Sequence, residues 1–501
     1  MKDSKLIGFL KSLTPAEFRD FEKFVSSPYF SKGRDLAPFF RVIKPYYPLF
    51  NDESLTVEYV FLKLFPGKKF DKVRSPNLIK TLSSQLYLMS KDFLIQAGLK
   101  EDENRKRILL LDQLRKRKLY KEFEKTYKEL PADSSEANKG TVSDFLAKYS
   151  EEIAFRDYTL DRDDFVNSYE ANLKSAEYSL LAGLINTFKY QDEVNIARAY
   201  NLTVRDNLLR ALLDNIDADR IIEYLRNSKH PMLEYLEVYY NIYKMNADLS
   251  DRSRFYSVRK LLQERAGLFG QMENYTLWNI LLTYCNIVDL PSEEHFYIYN
   301  HILRNGIYRK SDSEDFHIVL FRNIVLVSGA LNETEWLQNF LDKYSSQIHK
   351  DHRNDMSHYS YATLNFARGN YDEALEQIQK VRFELFLYKP DMRVLQLKIF
   401  YKLGYYEQLY SLTDSTMHFL RSNKDIREEF KDSVKNLIKY IKELVKIKTG
   451  MPSKIDADFL KKTITEEKFL GQRQWLLNEL ELLGEKPQVG GETPSRGEKP
   501  Q

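Results

Sequence analysis

The stretch Gly369-Asn370-Tyr371-Asp372-Glu373-Ala374-Leu375 is echoed 35 residues later by Gly404-Tyr405-Tyr406-Glu407-Gln408-Leu409. Each glycine lies between two segments whose apolar residues recur with helical spacing. Because glycine permits a sharp chain reversal, one unit is predicted to be a helix, a tight turn and a second helix. The interval of 35 residues indicates that such units are stacked on one another.

The motif and its interval resemble the tetratricopeptide repeat, a helical hairpin of about 34 residues. The clearest repeats span residues 358–419. In this resemblance, Ala362 and Ala374 stand where the family uses small side chains to let two helices cross closely. The next repeat has Leu397 and Leu409 at those places, which implies a wider helix crossing there.

The start of the chain resembles long uncharacterised bacterial helical-repeat proteins. These share an opening such as Leu-Thr-Pro-Ala-Glu-Phe, here residues 13–18, followed by Ser-Pro-Tyr-Phe, here residues 27–30. The resemblance implies a helical-repeat fold and no particular function.

The predicted fold class is all-α: a superhelical array of helical hairpins, or tetratricopeptide-like α-solenoid. Four segments are predicted: an N-terminal helical module (1–99), the helical-repeat solenoid (100–448), C-terminal capping helices (449–483) and a disordered tail (484–501). The tail is predicted to be disordered because it has almost no apolar side chains to offset the entropy lost on ordering.

Capping signals predict where several helices begin. Thr14 and Glu17 form a capping box around Pro15, and the helix they start should end before Pro28. Further helices are predicted over 35–43, 54–65, 76–97 and within 100–130. Residues 131–140 are predicted to form either an internal linker or a long loop between helices.

Later in the chain, a second capping box is predicted from Asn332 and Glu335, with Leu331 packing on Trp336. The first helices of successive hairpins are predicted to start near residues 232, 272, 313, 357 and 391.

Charge, cysteine content and apolar runs argue against a strongly basic, a disulfide-bonded and a membrane-spanning protein. The 76 basic and 73 acidic residues leave a net charge of +3, so no global field draws the chain to nucleic acid or membranes. The single cysteine, Cys285, excludes an intrachain disulfide and lies in an apolar run that predicts a buried thiol. The longest uncharged apolar-rich stretch, 274–288, is shorter than the roughly 20 residues of a membrane span. A cytoplasmic protein is predicted.

Signatures of catalysis are absent from the sequence, including the glycine-rich phosphate loops, the zinc-protease motif and paired cysteines. We therefore predict no enzyme activity, no cofactor, and no catalytic or cofactor-binding residues. His349, His352 and His358 could supply imidazole ligands if helical. The favoured interpretation is solvated histidines in a polar loop between helices, with no metal site.

Two basic features suggest a surface for an anionic partner. The first comprises Arg105–Arg107 and Arg115–Lys118, which acidic residues flank. The second is a lysine stripe at helical spacing, formed by Lys431, Lys435, Lys439, Lys442 and Lys446. The stripe could bind an acidic peptide, phosphates or nucleic acid, but a plain solvated helix face is the favoured interpretation.

The predicted function is a protein–protein interaction scaffold or adaptor that binds a protein or peptide. The alternative is a nucleic-acid-associated regulatory protein that binds through its lysine-rich helix faces. Arg368, Tyr371, Tyr405 and Tyr406 lie near the clearest repeats, but the pattern does not decide whether they face a groove or the core.

Overall fold

The structure is a computed structural model that describes eight segments of the chain. They are residues 4–30, 33–129, 139–199, 204–311, 314–382, 389–423, 428–451 and 456–484. Most of the predicted linker and all but the first residue of the predicted tail lie outside these segments.

The described residues form 24 α-helices and contain no β-strand, so the predicted all-α fold class is confirmed for this part of the chain. The first twelve are α1 (Lys5–Ser12), α2 (Pro15–Ser26), α3 (Ala37–Ile43), α4 (Val57–Leu64), α5 (Arg74–Glu101), α6 (Glu103–Lys116), α7 (Tyr120–Lys128), α8 (Val142–Leu160), α9 (Phe165–Ala199), α10 (Leu208–Asn215), α11 (Ala218–Asn227) and α12 (Leu233–Ala247). The others are α13 (Ser253–Glu264), α14 (Gln271–Ile287), α15 (Ser292–Arg304), α16 (Ile318–Ala330), α17 (Thr334–Tyr344), α18 (Lys350–Arg368), α19 (Tyr371–Gln379), α20 (Lys389–Leu403), α21 (Tyr406–Ser422), α22 (Glu428–Lys448), α23 (Ala457–Glu466) and α24 (Arg473–Gly484).

The chain divides into two compact units. The first comprises residues 1–135 and 146–179, and the second comprises residues 136–145 and 180–501. The domain boundaries predicted at residues 99, 448 and 483 stay predictions.

In the first unit, α1 to α5 enclose a core rich in phenylalanine. Phe21 meets Phe40 and Phe93 edge to face, with ring centroids 5.4 and 5.2 Å apart. The predicted capping box is confirmed: the Thr14 hydroxyl accepts from the Glu17 N–H at 3.2 Å, and the Glu17 carboxylate accepts from the Thr14 N–H at 2.7 Å. Helix α2 ends at Ser26, as the following proline predicts.

In the second unit, helices pack in neighbouring pairs, including α14 with α15, α16 with α17, α18 with α19 and α20 with α21. The first helices of successive pairs also pack directly on one another, α16 on α18, α18 on α20 and α20 on α22. Gly329 permits the first of these contacts, because a Cβ there would lie 2.6 Å from the Thr363 methyl group. Ala362 and Ala374 are fully buried. This packing is compatible with a helical repeat.

The same turn joins the two helices of three consecutive pairs. Its left-handed residue lies two positions before the second helix and is Asn332, Gly369 or Gly404, with φ of 56°, 84° and 75°. In each turn the next N–H donates back to a carbonyl five residues earlier, which satisfies the end of the first helix. These bonds are Glu333 to Ser328 at 3.0 Å, Asn370 to Asn365 at 2.9 Å and Tyr405 to Phe400 at 2.9 Å.

This turn shows that the capping box predicted from Asn332 and Glu335 is wrong. Helix α17 begins at Thr334 after Glu333, and no side chain caps it. Asn332 instead ends α16, because asparagine is one of the few residues other than glycine that tolerate left-handed backbone.

Replacing Asn332 by alanine is expected to lower the free energy of unfolding by about 1 kcal/mol, because alanine resists positive φ. Asn332→Gly should be neutral or slightly stabilising, and Glu335→Ala should change stability by less than about 0.5 kcal/mol. Urea unfolding followed by tryptophan fluorescence reports on this unit, since Trp278, Trp336 and Trp475 all belong to it. If Glu335→Ala lowered the free energy of unfolding more than Asn332→Ala does, the result would support the predicted capping box and contradict the turn described here.

Of the five predicted hairpin starts, two differ from the structure and three agree with it. The hairpin expected near 357 begins at Lys350, and the one expected near 313 has its first helix, α16, starting at Ile318. The starts expected near 232, 272 and 391 correspond to Leu233, Gln271 and Lys389.

Candidate functional site

The histidine cluster lies at the start of α18, so the interpretation as a polar loop between helices is wrong. His349 caps this helix, and its ring accepts from the Asp351 N–H at 3.4 Å. His358 hydrogen-bonds Gln377 at 2.8 Å. Histidine is not a preferred capping residue, which is why the sequence pattern did not reveal this helix start. In the part of the chain that the structure describes, no group of three or more histidine, cysteine or acidic residues is placed to hold a metal ion.

Carboxylates accompany most of the lysine stripe on α22. Lys431 is only 8% exposed, and Lys439 is the exposed member, with its nitrogen 4.8 Å from the Tyr440 ring centre. The ion pairs are Lys431–Glu428 at 2.7 Å, Lys435–Asp432 at 2.8 Å, Lys442–Asp414 at 4.0 Å and Lys446–Glu443 at 2.6 Å. These carboxylates offset much of the positive field that an anionic partner would meet.

The earlier basic clusters, in the first unit, are offset in the same way. Their ion pairs include Arg105–Asp102, Lys106–Glu103, Arg107–Glu151, Arg115–Asp161 and Lys116–Asp112. Such mixed charges are typical of solvated helix faces.

The aromatic residues of the clearest repeats have different surroundings. Tyr371 packs on Phe366 with ring centroids 5.5 Å apart, and Tyr406 packs against the core formed by α20 to α24. Tyr405 is exposed, and Arg368 is exposed and donates to Gln338 at 3.2 Å. Cys285 is buried as predicted, and burial raises the pKa of its thiol to about 12, so it is a poor nucleophile at neutral pH.

A groove follows the second helices α13, α15 and α17 of the second unit. It consists of two adjoining concavities of about 620 and 400 Å³ that share Asn300 and Arg304. We call it the second-helix groove. It is lined by Gln263, Glu293, Phe296, Tyr297, Asn300, His301, Leu303, Arg304, Asn305, Trp336, Asn339, Phe340, Lys343 and Tyr344.

Hydrogen bonding and ring packing between side chains of α15 and α17 form the middle of the groove. The Trp336 indole donates to the Asn300 side-chain oxygen at 2.8 Å and so ties α17 to α15. The Trp336 ring meets Phe296 at 4.9 Å and stacks on Phe340 at 5.5 Å. Since these rings are held by several partners, they form a preorganised surface.

Tyr297 forms an aromatic ledge near one end of the groove. It is 42% exposed, and its hydroxyl accepts from Gln263 at 2.8 Å. The Arg259 guanidinium lies 4.2 Å from the ring centre of Tyr297, and its contact fixes the ring orientation.

The exposed charges of the groove differ along its length. Arg304 and Lys343 are exposed around the shared middle and the α17 side, and Glu293 lies at the α13–α15 side. His301 stacks on Trp278 at 4.0 Å, and burial lowers the pKa of its imidazole, so it is neutral at pH 7. The middle of the groove therefore carries a positive charge from Arg304 and Lys343.

Comparison with protein-family models, curated proteins and solved structures found no match for this chain. Among the described helices, none combines the length and apolar character needed to cross a membrane.

The groove was not predicted from the sequence, although its residues follow a pattern. Phe296, Asn300 and Arg304 are spaced at i, i+4 and i+8 on one helix. Trp336, Phe340 and Tyr344 repeat that spacing 40 residues later. Two stripes of large side chains at the same offset on neighbouring second helices are the signal that could have revealed it.

Proposed function

We propose that this protein is a non-catalytic scaffold and that the second-helix groove binds an extended segment of a protein partner. The observation that carries this proposal is the continuity of the two concavities, together with tryptophan, tyrosine and arginine in their lining. These three residue types contribute most often to binding hot spots, because they bury a large area and also offer a polar group.

The size of the groove suits a short segment. Packed helices lie roughly 10 Å apart, so a groove across three second helices is about 20 Å long. At about 3.3 Å per residue, such a length takes about six residues of extended chain. Asn305 and Asn339 are exposed at the groove and can hydrogen-bond the backbone of that segment.

The chemistry of the groove selects the segment. Arg304 and Lys343 complement an acidic side chain, and the rings of Tyr297 and Trp336 offer a surface for an aromatic or aliphatic one. The partner segment is therefore acidic, with at least one large apolar residue.

We also propose a specific architecture and cellular location for this protein. The helix pairs of the second unit are degenerate tetratricopeptide-like units stacked as a solenoid, and the protein works in the cytoplasm. The direct packing of successive first helices and the shared turn at Asn332, Gly369 and Gly404 support the first part. The lack of any enzyme signature in the sequence supports a binding role.

Selection of random displayed peptides on the full-length protein is expected to enrich acidic segments that contain an aromatic residue. Binding of these peptides should weaken about tenfold in Arg304→Glu/Lys343→Glu, because two attractive charges become repulsive, a change worth about 1.4 kcal/mol. Fluorescence anisotropy at low and moderate salt measures the effect.

The matched control is Arg421→Glu, which reverses an exposed arginine at the end of α21. It should leave the affinity within about twofold of the wild type. Failure to enrich any peptide, or equal weakening by the control and the double variant, would contradict the proposal.

The nucleic-acid alternative depends on the lysine stripe of α22. A binding assay with single- and double-stranded oligonucleotides tests it, since each neutralised phosphate adds to the salt dependence of binding. If the stripe binds nucleic acid, Lys439→Glu/Lys442→Glu should abolish that binding. The ion pairs along the stripe lead us to rank this function second.

A further inference from the structure

A second cavity lies among the first helices of the same unit, away from the second-helix groove. It has a volume of about 180 Å³ and is bounded by α16, α18, α20 and α22 and by residues 471–472. We call it the first-helix pocket. Most of its walls are apolar and include Leu326, Phe366, Val394, Leu395, Phe430 and Leu437.

Lys398 places its ammonium group among the apolar walls of the first-helix pocket. The Lys398 ammonium donates to the Gln472 side-chain oxygen at 2.8 Å. It also lies 4.7 Å from the Phe366 ring centre and 5.2 Å from that of Trp475. Burial lowers the pKa of Lys398 to about 8, with Glu479 opposing the shift and Lys402 adding to it. An ammonium ion has three donors, and Gln472 satisfies one of them.

A second polar group in the pocket lacks a close hydrogen-bond partner among the described residues. Tyr359 is 2% exposed and lines the pocket, and its hydroxyl makes no hydrogen bond within 3.5 Å, although the Thr363 side chain and the Asp391 carboxylate lie nearby. The neighbouring Thr363 hydroxyl donates to the Tyr359 backbone carbonyl at 3.0 Å instead. Because a buried hydroxyl without an acceptor is energetically unfavourable, this group favours a ligand that offers it one.

The charges around Lys398 do not balance. Arg322 is paired with Asp391, and Lys402 is paired with Glu479. Both carboxylates are thus engaged by other cations, and Lys398 provides one further positive charge. A ligand with a single negative charge would neutralise the group.

We propose that the first-helix pocket binds a small monocarboxylate with an apolar body. One carboxylate oxygen accepts from the Lys398 ammonium and the other from the Tyr359 hydroxyl, while the apolar part lies against the leucine, valine and phenylalanine walls. Pockets for drug-sized ligands measure about 300–1,000 Å³, so a cavity of 180 Å³ limits the ligand to a small acid. This site does not depend on the proposed peptide groove, because other helices form it.

Isothermal titration calorimetry with benzoate as the probe tests this inference on the full-length protein. Benzoate is expected to bind at one site, and the neutral amide benzamide should bind at least tenfold more weakly, since it cannot neutralise Lys398. Equal binding of the two compounds, or no binding of benzoate at millimolar concentration, would overturn the inference.

Variants locate the site. Lys398→Met should weaken benzoate binding at least tenfold, and Tyr359→Phe, which removes only the hydroxyl, should weaken it about fivefold. The matched control Lys439→Met, at an exposed lysine of α22, should bind like the wild type. Unchanged binding in Lys398→Met would place the acid elsewhere and overturn the assignment.

The source of the carboxylate is tested with a hexapeptide that ends in phenylalanine. The inference predicts weaker binding of this peptide than of benzoate, because the small cavity excludes the chain that precedes the terminal residue. Tighter binding of the peptide would overturn the small-molecule assignment in favour of a polypeptide carboxyl terminus.

Discussion

Replacing Asp391 by alanine is expected to lower the free energy of unfolding of the second unit by about 2–4 kcal/mol. Asp391 of α20 accepts from the Arg322 Nε of α16 at 2.6 Å, and the two side chains are only 14% and 23% exposed. Burial raises the pKa of the Asp391 carboxyl, and the Arg322 guanidinium opposes that shift. The variant would leave this guanidinium partly buried and without its carboxylate.

The position of the pair explains why the effect should be large. Helices α16 and α20 both pack on α18, so the Arg322–Asp391 pair links two first helices across the one between them. Its loss should therefore loosen the row of first helices. Urea unfolding at pH 7, followed by tryptophan fluorescence, measures the change in this unit.

Two comparisons separate this effect from a general loss of charge. Glu376→Ala breaks the exposed pair between Glu376 of α19 and Lys380, which directly follows this helix. It should leave the stability nearly unchanged, because exposed ion pairs contribute little. Arg322→Leu/Asp391→Leu should recover most of the loss, since replacing both members of a buried pair by apolar residues is often neutral. Equal losses from Asp391→Ala and Glu376→Ala would show that the pair is not structurally important.

Replacing Lys398 by methionine is expected to raise the free energy of unfolding by about 1–3 kcal/mol at pH 7. The unfolded chain holds the lysine proton with a pKa of 10.5, whereas the folded chain holds it with a pKa of about 8. Each unit of this difference corresponds to about 1.4 kcal/mol, so the charged lysine destabilises the folded state below pH 8.

The pH dependence of this effect has a definite sign. Because the unfolded state binds the proton more tightly, the wild-type protein regains stability as the pH rises from about 8 to 10.5. The advantage of Lys398→Met should therefore be largest at pH 7 and shrink by pH 10. Urea unfolding of both proteins at the two pH values measures it.

The exposed lysine variant Lys439→Met serves as the control and should show no comparable change between pH 7 and 10. If Lys398→Met lowered the free energy of unfolding at pH 7, the contacts of the ammonium would stabilise the folded state by more than its burial destabilises it. A stabilised variant would also confirm that its expected loss of benzoate binding does not result from misfolding.

The sequence predicted the all-α class because helical periodicity and local capping are short-range signals. Thr14 and Glu17 lie three residues apart, and the structure contains the predicted reciprocal hydrogen bonds between them. The turn at Asn332 was misassigned because asparagine both caps helix starts and adopts the left-handed conformation that ends helices. Only the interval to Gly369 and Gly404 distinguishes the two roles at this position.

The candidate sites were harder to predict because distant segments form them. Trp336 meets Asn300 across 36 residues, and Arg322 meets Asp391 across 69. Lys398 and Tyr359 come together only when α18 and α20 pack. Apolar periodicity shows which face of a helix is buried, but it does not show where the packing of four helices leaves a cavity.

For the lysine stripe, the sequence predicted the positions of the side chains but not the ion pairs that surround them. Its five lysines follow a helical spacing on α22, and the structure places all of them along that helix. Their ion pairs with Glu428, Asp432, Asp414 and Glu443 reduce the charge that the pattern seemed to offer. Counting cations along a helix therefore overestimated the field of this surface.

We expect the partner segment to lie in the second-helix groove, and site-specific photo-crosslinking shows whether it does. A benzoyl-phenylalanine introduced at Asn339, which is exposed in the groove, should crosslink a selected acidic peptide, with the adduct identified by mass spectrometry. The same group at Asn215, exposed at the end of α10 in the same unit, should capture no peptide above background. Equal crosslinking at both positions, or none at Asn339 for a peptide that binds the wild-type protein, would contradict the claim.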